Sequence, residues 1–308
     1  MRAFHTDQYR IPLPEGHRFP QEKYRRLRER IEAGAVEGLE LDTAPAATDG
    51  ELALAHTPDY VDDVCLGRLD AARQREIGFP WSPEMVERSR RSVGATIAGA
   101  RAALADGVGA NLAGGTHHAS ASRGGGFCVF NDIAVASRLM QAEWHRLHRR
   151  LLRVAVIDLD VHQGNGTAAI FRDDPTVFTL SIHGEHNFPF RKEASDLDVP
   201  LPDGCTDAPY LDALDDALAQ LWARHADGLP GLVVYLAGAD AHEGDRLGRL
   251  KLTAAGMAER DRRVFAATRE RRIPTVLTMG GGYGRVIDDT VAVQLATLRE
   301  AVRSFRLW

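Results

Sequence analysis

Short apolar runs rich in β-branched residues alternate along this chain with longer stretches of helical periodicity, and that alternation restricts the fold more than any other feature. The runs at Arg153–Asp158, Val177–His183, Leu232–Ala237 and Thr275–Met279 read as strands buried on both faces, with Ala110–Ala113 a further one. Helical patterns fill the intervals at Pro83–Ala105, Asp132–Arg150, Pro209–Ala226, Thr253–Arg271 and Asp288–Arg303, several opened by Asp, Asn, Ser or Thr as caps. Strands that alternate with helices pair in parallel, because each helix carries the chain back across the sheet. The expected fold is therefore a three-layer α/β/α arrangement around a central, mainly parallel sheet. With 308 residues and no linker, low-complexity tract or repeat, residues 1–308 are expected to form a single domain.

The polar motifs fall directly after these strands: Gly114-Gly-Thr-His-His118, Asp160-Val-His162, His183-Gly-Glu-His186, Gly238-Ala-Asp240 and Met279-Gly-Gly-Gly-Tyr283. In an open α/β sheet that carboxyl edge is where sites are built. The densest is Val156-Ile-Asp-Leu-Asp-Val-His-Gln-Gly-Asn-Gly166, which sets Asp158, Asp160 and His162 two residues apart at the end of an apolar strand, so that all three are expected to lean to one face. Carboxylates and an imidazole at the end of an apolar run are costly to bury unless paired or metal-bound. Asp160 and His162, joined by Asp240, would make a two-carboxylate, one-imidazole set for zinc or iron, with positions left open for water and a substrate oxygen. Such an ion suits amide or ester hydrolysis, which also needs a proton carrier. His117 and His118 could supply it, one as general base and the other as a cationic or hydrogen-bonding stabiliser. Tyr283, after three glycines, could donate to a developing oxyanion.

At these residues the chain resembles the histone deacetylase family. The resemblance is carried in order by GGTHHAS at 114–120, GGGFCVFND at 124–132, VIDLDVHQGNG at 156–166, LSIHGEHNFPF at 180–190, LAGADAHEGD at 236–245 and MGGGYG at 279–284. The wording of the third and fourth looks most like the class IV branch and its bacterial relatives. The resemblance implies an arginase-like α/β fold and hydrolysis of acyl-lysine or related amides at a zinc ion. It implies Asp160, His162 and Asp240 as zinc ligands, His118 as the base that later protonates the leaving amine, and His117 as its electrostatic partner. Asp158 would accept a hydrogen bond from His117, Asn165 would orient His118, and Tyr283 would bind the scissile carbonyl. Gly126, Phe127 and Phe188 match the walls of an acyl-lysine channel. A structural potassium is implied at Asp158, Ser181, Ile182 and the carbonyls of Asp160 and His162, and a second alkali ion near Phe171, Asp174 and Val177. Asn165 departs from family members with aspartate there, which implies a weaker base at His118 and an optimum at lower pH.

The remaining features narrow the setting. A net charge of −5 gives no reason to expect nucleic-acid binding. Cys65, Cys128 and Cys205 are far apart and odd in number, against a disulfide framework or a cysteine zinc site. The amino terminus has no apolar signal core and no apolar stretch is long enough for a bilayer, so a cytoplasmic protein without membrane partners is expected. His145, His148 and His225 read as surface residues, His183, His186 and His242 as supporting groups near the site, and Cys128 as a packed side chain. Loops at Gly16–Pro20 and Gly78–Ser82 are the expected rim. The substrate is expected to be an acyl-lysine peptide or protein, or alternatively an acetylpolyamine or other small acylated amine. A two-manganese ureohydrolase fits less well, because one His/carboxylate set and a tyrosine stand where bridging carboxylates would be wanted. A silent acyl-lysine binding module would have lost a ligand, base or tyrosine, and all are present.

Overall fold

In the computed structural model, which describes residues 1–308, eight strands form one sheet in which every pairing is parallel. In chain order they are β1 (Arg2–His5), β2 (Glu40–Thr43), β3 (Val108–Asn111), β4 (Val154–Asp158), β5 (Val177–Gly184), β6 (Leu197–Leu201), β7 (Leu232–Leu236) and β8 (Thr275–Thr278). Across the sheet the order is β2-β1-β3-β8-β7-β4-β5-β6. Alternate residues of the central strands feed two separate cores. Ala155, Ile157, Val233, Tyr235 and Leu277 face one. Val154, Val156, Leu232, Val234, Leu236 and Val276 face the other. Helices close both faces, which is the three-layer architecture expected, with a sheet that is wholly rather than mainly parallel.

The five expected strands are present, with ends shifted by a residue or two. Ala110–Ala113 becomes Val108–Asn111, because the turn at Leu112 begins earlier than its apolar character implies. Three strands carried no clear apolar signal. β1 is four residues long, β2 is the polar, largely exposed edge Glu40-Leu-Asp-Thr43, and β6 contains Pro200. Edge strands tolerate charge and proline because their outer backbone groups face solvent.

The helix Pro83–Asp106 packs directly on the sheet at β3. Ser82 caps it by accepting the Met85 N–H at 3.0 Å, Pro83 occupies its first turn, and Gly107 ends it at φ +94°. Its contact with β3 is backbone on backbone: a Cβ on Gly109 would stand 2.1 Å from the Gly99 carbonyl oxygen. Two glycines thus set the helix-to-sheet distance on which the β3 exit loop depends. Gly109→Ala is expected to cost about 2 kcal/mol or more in a denaturant melt through overpacking. An unchanged midpoint would show that the helix does not press on β3 as described.

Candidate active site

Four neighbouring central strands, β3, β8, β7 and β4, each release a loop at the same carboxyl edge. Those loops bring together His117 and His118, Tyr283, Asp240, and the pair Asp160 and His162. β4 ends at Asp158, so Asp160 and His162 lie beyond the strand and its alternation does not orient them. The two-residue spacing acts through side-chain turns instead. Asp158 Oδ1 accepts the Asp160 N–H at 3.1 Å, and Asp160 Oδ1 accepts the His162 N–H at 3.0 Å. The Val161 N–H donates to Asp240 Oδ1 at 3.0 Å, fastening the β7 loop to the β4 loop. Beneath both sits Arg260, fully buried, which donates to the carbonyls of Gly238 at 2.8 Å, Ala237 at 3.2 Å and Leu159 at 3.3 Å.

Asp160, His162 and Asp240 are buried, and their ligand atoms lie within 4.8 Å of one another. His162 Nδ1 stands 2.9 Å from Asp160 Oδ1 and 3.2 Å from Asp240 Oδ2. The second is a charge contact out of line for a hydrogen bond, and Asp240 Oδ2 has no hydrogen-bond partner. Burial opposes the His162 cation, but Asp160 and Asp240 outweigh it and lift the pKa to about 10. The carboxyls are pushed apart. Burial and the charge of Asp160 raise Asp240, whereas at Asp160 the charges of His117 and His162 overcome burial and hold it below the usual range. Gly281 and Gly238 make room for these carboxylates. A Cβ on Gly281 would lie 1.8 Å from Asp240 Oδ2, and one on Gly238 2.4 Å from Asp160 Oδ2. An orphaned buried acceptor within a two-carboxylate, one-imidazole cluster fits a divalent metal ion.

The adjacent histidines have unlike partners. His117 Nδ1 lies 2.6 Å from Asp158 Oδ2, His118 Nδ1 lies 2.7 Å from Asn165 Oδ1, and the ring centres are 4.2 Å apart. Burial disfavours the His117 cation, yet Asp158 and Asp160 raise its pKa to about 9. Burial pushes His118 well below the usual imidazole value, and the positive charges of His117 and His162 add to that. Asn165 Oδ1 can only accept, so it fixes the proton of His118 on Nδ1 and leaves Nε2 with a free lone pair. Asp132 positions the loop that carries both rings. Its carboxylate accepts from Gly115 N at 3.0 Å, Thr116 N at 2.7 Å, Thr116 Oγ1 at 2.6 Å and Thr96 Oγ1 at 2.6 Å.

Tyr283 is held from behind. Its N–H donates to Asp245 Oδ2 at 2.6 Å, its carbonyl accepts from Arg246 Nε at 2.9 Å, and Lys23 Nζ donates to the preceding Gly282 carbonyl at 3.1 Å. Burial, together with Asp240 and Asp160, raises the phenol pKa well above its ordinary value, so it remains a hydrogen-bond donor. Gly126, Phe127, Phe188, His118, Asp160, His162 and Tyr283 line one cavity of about 780 Å³. Gly126 is required there, since a Cβ would meet the His118 ring at 2.6 Å and Phe188 at 3.1 Å. Phe127 takes a positive φ of 67°, unfavourable for a bulky residue, with its N–H bonded to the Ile77 carbonyl at 2.8 Å. The two expected rim loops do meet at the mouth, where His17 Nε2 lies 2.9 Å from the Gly78 carbonyl oxygen.

Other expected positions fall into place less completely. Ser181 stands opposite Asp158 in the β4–β5 pairing, with Ile182 next to it, and Ser181 Oγ lies 2.9 Å from His183 Nδ1. The carbonyls of Phe171 and Asp174 accept the backbone N–H groups of Asp174 and Val177 at 2.9 and 3.2 Å in two successive turns that lead into β5. His183 is buried and His242 partly so, whereas His186 lies exposed at the cavity mouth. His145 and His148 are exposed as expected. His225 is half-buried instead, its ring 5.1 Å from Phe178, because it ends a helix that folds onto β5. Cys128 is buried, and all three cysteines are free. Asp132, Asp245, Lys23 and Arg260 carried no expected role. The first two lie inside recognisable motifs, where Asp132 reads as a helix residue and Asp245 as a turn. Arg260, in Glu259-Arg-Asp-Arg-Arg263, and Lys23 look like ordinary surface charges.

Known proteins resemble the chain over most of its length. The Histone deacetylase domain family matches residues 17–298. An uncharacterized protein of Picosynechococcus sp. is 45% identical over 290 residues, 94% of each chain. Histone deacetylase 2 of Arabidopsis thaliana is 36% identical over 255 residues, covering 78% of this chain and 64% of that protein. The acetoin utilization protein AcuC of Bacillus subtilis is 32% identical over 233 residues, covering 68% and 58%. Among solved structures, an HDAC homologue from Aquifex aeolicus superposes with a TM-score of 0.79 at 25% identity, covering 98% of this chain and 83% of that one. An HDAC homologue complexed with SAHA has the same fold, with a TM-score of 0.77 at 24% identity over 99% and 88%. The chain belongs to the histone deacetylase family, metal-dependent hydrolases that act on the amide bonds of acetylated substrates.

Proposed function

We propose that the protein is a zinc-dependent deacylase of N-acyl lysine, with residues 1–308 acting as one catalytic domain. The observation that carries this reading is the pair of adjacent histidines, one bonded to Asp158 and the other to Asn165, next to the buried Asp160, His162 and Asp240. Zinc, or iron in its place, would be held by those three side chains and would lower the pKa of a water and polarise the acyl carbonyl. His118 Nε2, with its free lone pair, is placed to take a proton from the attacking water and to return it to the departing amine. His117, kept positive by Asp158, stabilises negative charge built up beside it, and Tyr283 donates its phenol hydrogen to the developing oxyanion. Phe127 and Phe188 flank the aliphatic stem of lysine at the channel wall. Potassium beside Asp158, Ser181 and Ile182 would offset carboxylate charge behind His117. A SAHA-bound relative of the same fold is consistent with an acyl-lysine-shaped ligand.

A two-metal ureohydrolase would need a second carboxylate cluster, and one metal-like group is present. No helix is long and apolar enough to cross a membrane, and three free cysteines accord with a reducing cytoplasmic setting.

Purified protein should carry about one zinc or iron ion per chain, measured by elemental analysis, as a single three-ligand open site requires. Tyr283→Phe and His118→Ala should each lower kcat on an acetyl-lysine peptide by about a hundredfold or more. Full turnover in both variants would refute the mechanism. Asn165→Asp should raise the pKa of His118, because a carboxylate stabilises the imidazolium. The base form is then lost at higher pH, so the acid limb of kcat/KM should move upward. An unmoved limb would remove Asn165 from its assigned part.

A further inference from the structure

The cavity that reaches Asp160, His162 and Tyr283 is also lined by Tyr24, Arg88, Ser89 and Ser92, from the helices Glu22–Glu32 and Pro83–Asp106. None of these inner residues has a part in the proposed hydrolysis. Two buried cations flank Tyr24 on the wall of this chamber, and of the two Arg88 lines the cavity itself. Lys23, 1% exposed, has Nζ 5.4 Å from the centre of the Tyr283 ring and 5.1 Å from that of Tyr24. Arg88, 8% exposed, sets its guanidinium 4.7 Å from the centre of the same Tyr24 ring.

Neither cation is ion-paired. Lys23 donates to the Gly282 carbonyl, and Arg88 to the neutral hydroxyl of Thr6. Asp7 attracts Arg88 from farther off, but that carboxylate is already held by Arg28 at 2.9 Å and His5 at 2.9 Å. Burying positive charge twice beside one aromatic ring, with no anion to balance it, is unfavourable unless a ligand supplies the anion. A guanidinium carries five N–H donors in a planar fork suited to a carboxylate, and Arg88 spends one bond on Thr6.

We propose that this chamber is a carboxylate subsite with Arg88 as its main donor, and that it selects acyl groups ending in a second carboxylate, the half-amides of short dicarboxylic acids. The inference rests on the deacylase reading above and deepens it by naming the acyl class. Lys23 stands beside both Tyr283 and Tyr24, Arg88 stands beside Tyr24, and Arg88 lines the same cavity as His118, Asp160 and Tyr283, so the guanidinium and the reacting centre open on one space. Hydrolysis of such a substrate adds water across the amide C–N bond, releasing the lysine amine and the free dicarboxylic acid. The distal carboxylate is untouched and serves for recognition.

The test compares succinyl-, glutaryl- and adipyl-lysine peptides with butanoyl-, pentanoyl- and hexanoyl-lysine peptides of matched length on the metal-loaded full chain. At least one acidic chain should exceed its neutral counterpart in kcat/KM by about tenfold or more, the worth of a charge-assisted hydrogen bond. Arg88→Met should collapse that ratio, and Arg88→Lys should restore part of it. Calorimetry with glutarate and pentanoate reads the subsite without turnover, and glutarate should bind at least about tenfold more tightly to wild type, by the same interaction. A wild-type preference for the neutral chains, equal ratios, or a ratio unmoved in folded Arg88→Met would overturn the proposal, as would equal binding of the two acids. Should Arg88→Met fail to fold, the wild-type ratio and the Arg88→Lys variant still decide. If no acyl-lysine is hydrolysed yet glutarate binding depends on Arg88, the deacylase reading falls and the carboxylate subsite stands.

Discussion

Two carboxylates buried against each other, Asp160 and Asp240, set the terms for the rest of the structure. Like charges at such a place repel, and burial raises the energy of both. The fold meets that cost by surrounding them with fixed positive charge and donors rather than by separating them. The Val161 N–H takes one Asp240 oxygen, the Gly281 N–H takes Asp160 Oδ2 at 2.7 Å, and His162 faces both acids. Arg260 reaches the carbonyls at the base of each ligand loop and is itself balanced by Asp261, whose carboxylate is 2.8 Å away. One oxygen, Asp240 Oδ2, is left without a hydrogen bond. A cluster so nearly satisfied, with its single deficit aimed at its own centre, is arranged for a cation.

The parallel sheet makes that convergence possible. Because β3, β8, β7 and β4 are neighbours with a common direction, four loops distant in sequence leave the sheet side by side. This much was legible beforehand. Buried parallel strands require unbroken apolar runs, and polar residues directly after them stand out. The supports were less visible for a physical reason. Arg260 lies in a helix crowded with charge, and its burial depends on a helix meeting β4 and β7, not on its neighbours in sequence. Asp245 acts through backbone N–H groups, which any residue supplies, and Asp132 through two such groups and the hydroxyls of Thr116 and the distant Thr96, so their partners leave little trace. The two-residue spacing of Asp158, Asp160 and His162 is that of strand alternation, yet the strand stops at Asp158 and the same spacing works through side-chain turns. Turn and strand periodicities coincide over so short a segment.

The two histidines show how far one atom in a partner can decide a role. Their rings are 4.2 Å apart and both are buried, so their environments would be nearly alike but for Asp158 and Asn165. A carboxylate against His117 repays the burial of its charge. An amide against His118 offers the same acceptor oxygen without the charge, and the neighbouring cations then drive His118 neutral. The two effects reinforce each other, because a charged His117 makes protonation of His118 harder, and a neutral His118 leaves His117 unopposed. Pairs of groups whose surroundings push their pKa values apart are how one site holds an acid and a base together. With aspartate at 165, both rings would have carboxylates, and the division of labour would rest on the remaining asymmetry alone: Asp160 lies 3.9 Å from His117 Nε2, whereas the His162 ring lies 5.8 Å from that of His118. Asn165 therefore acts on both histidines, directly on the base and through it on the cation.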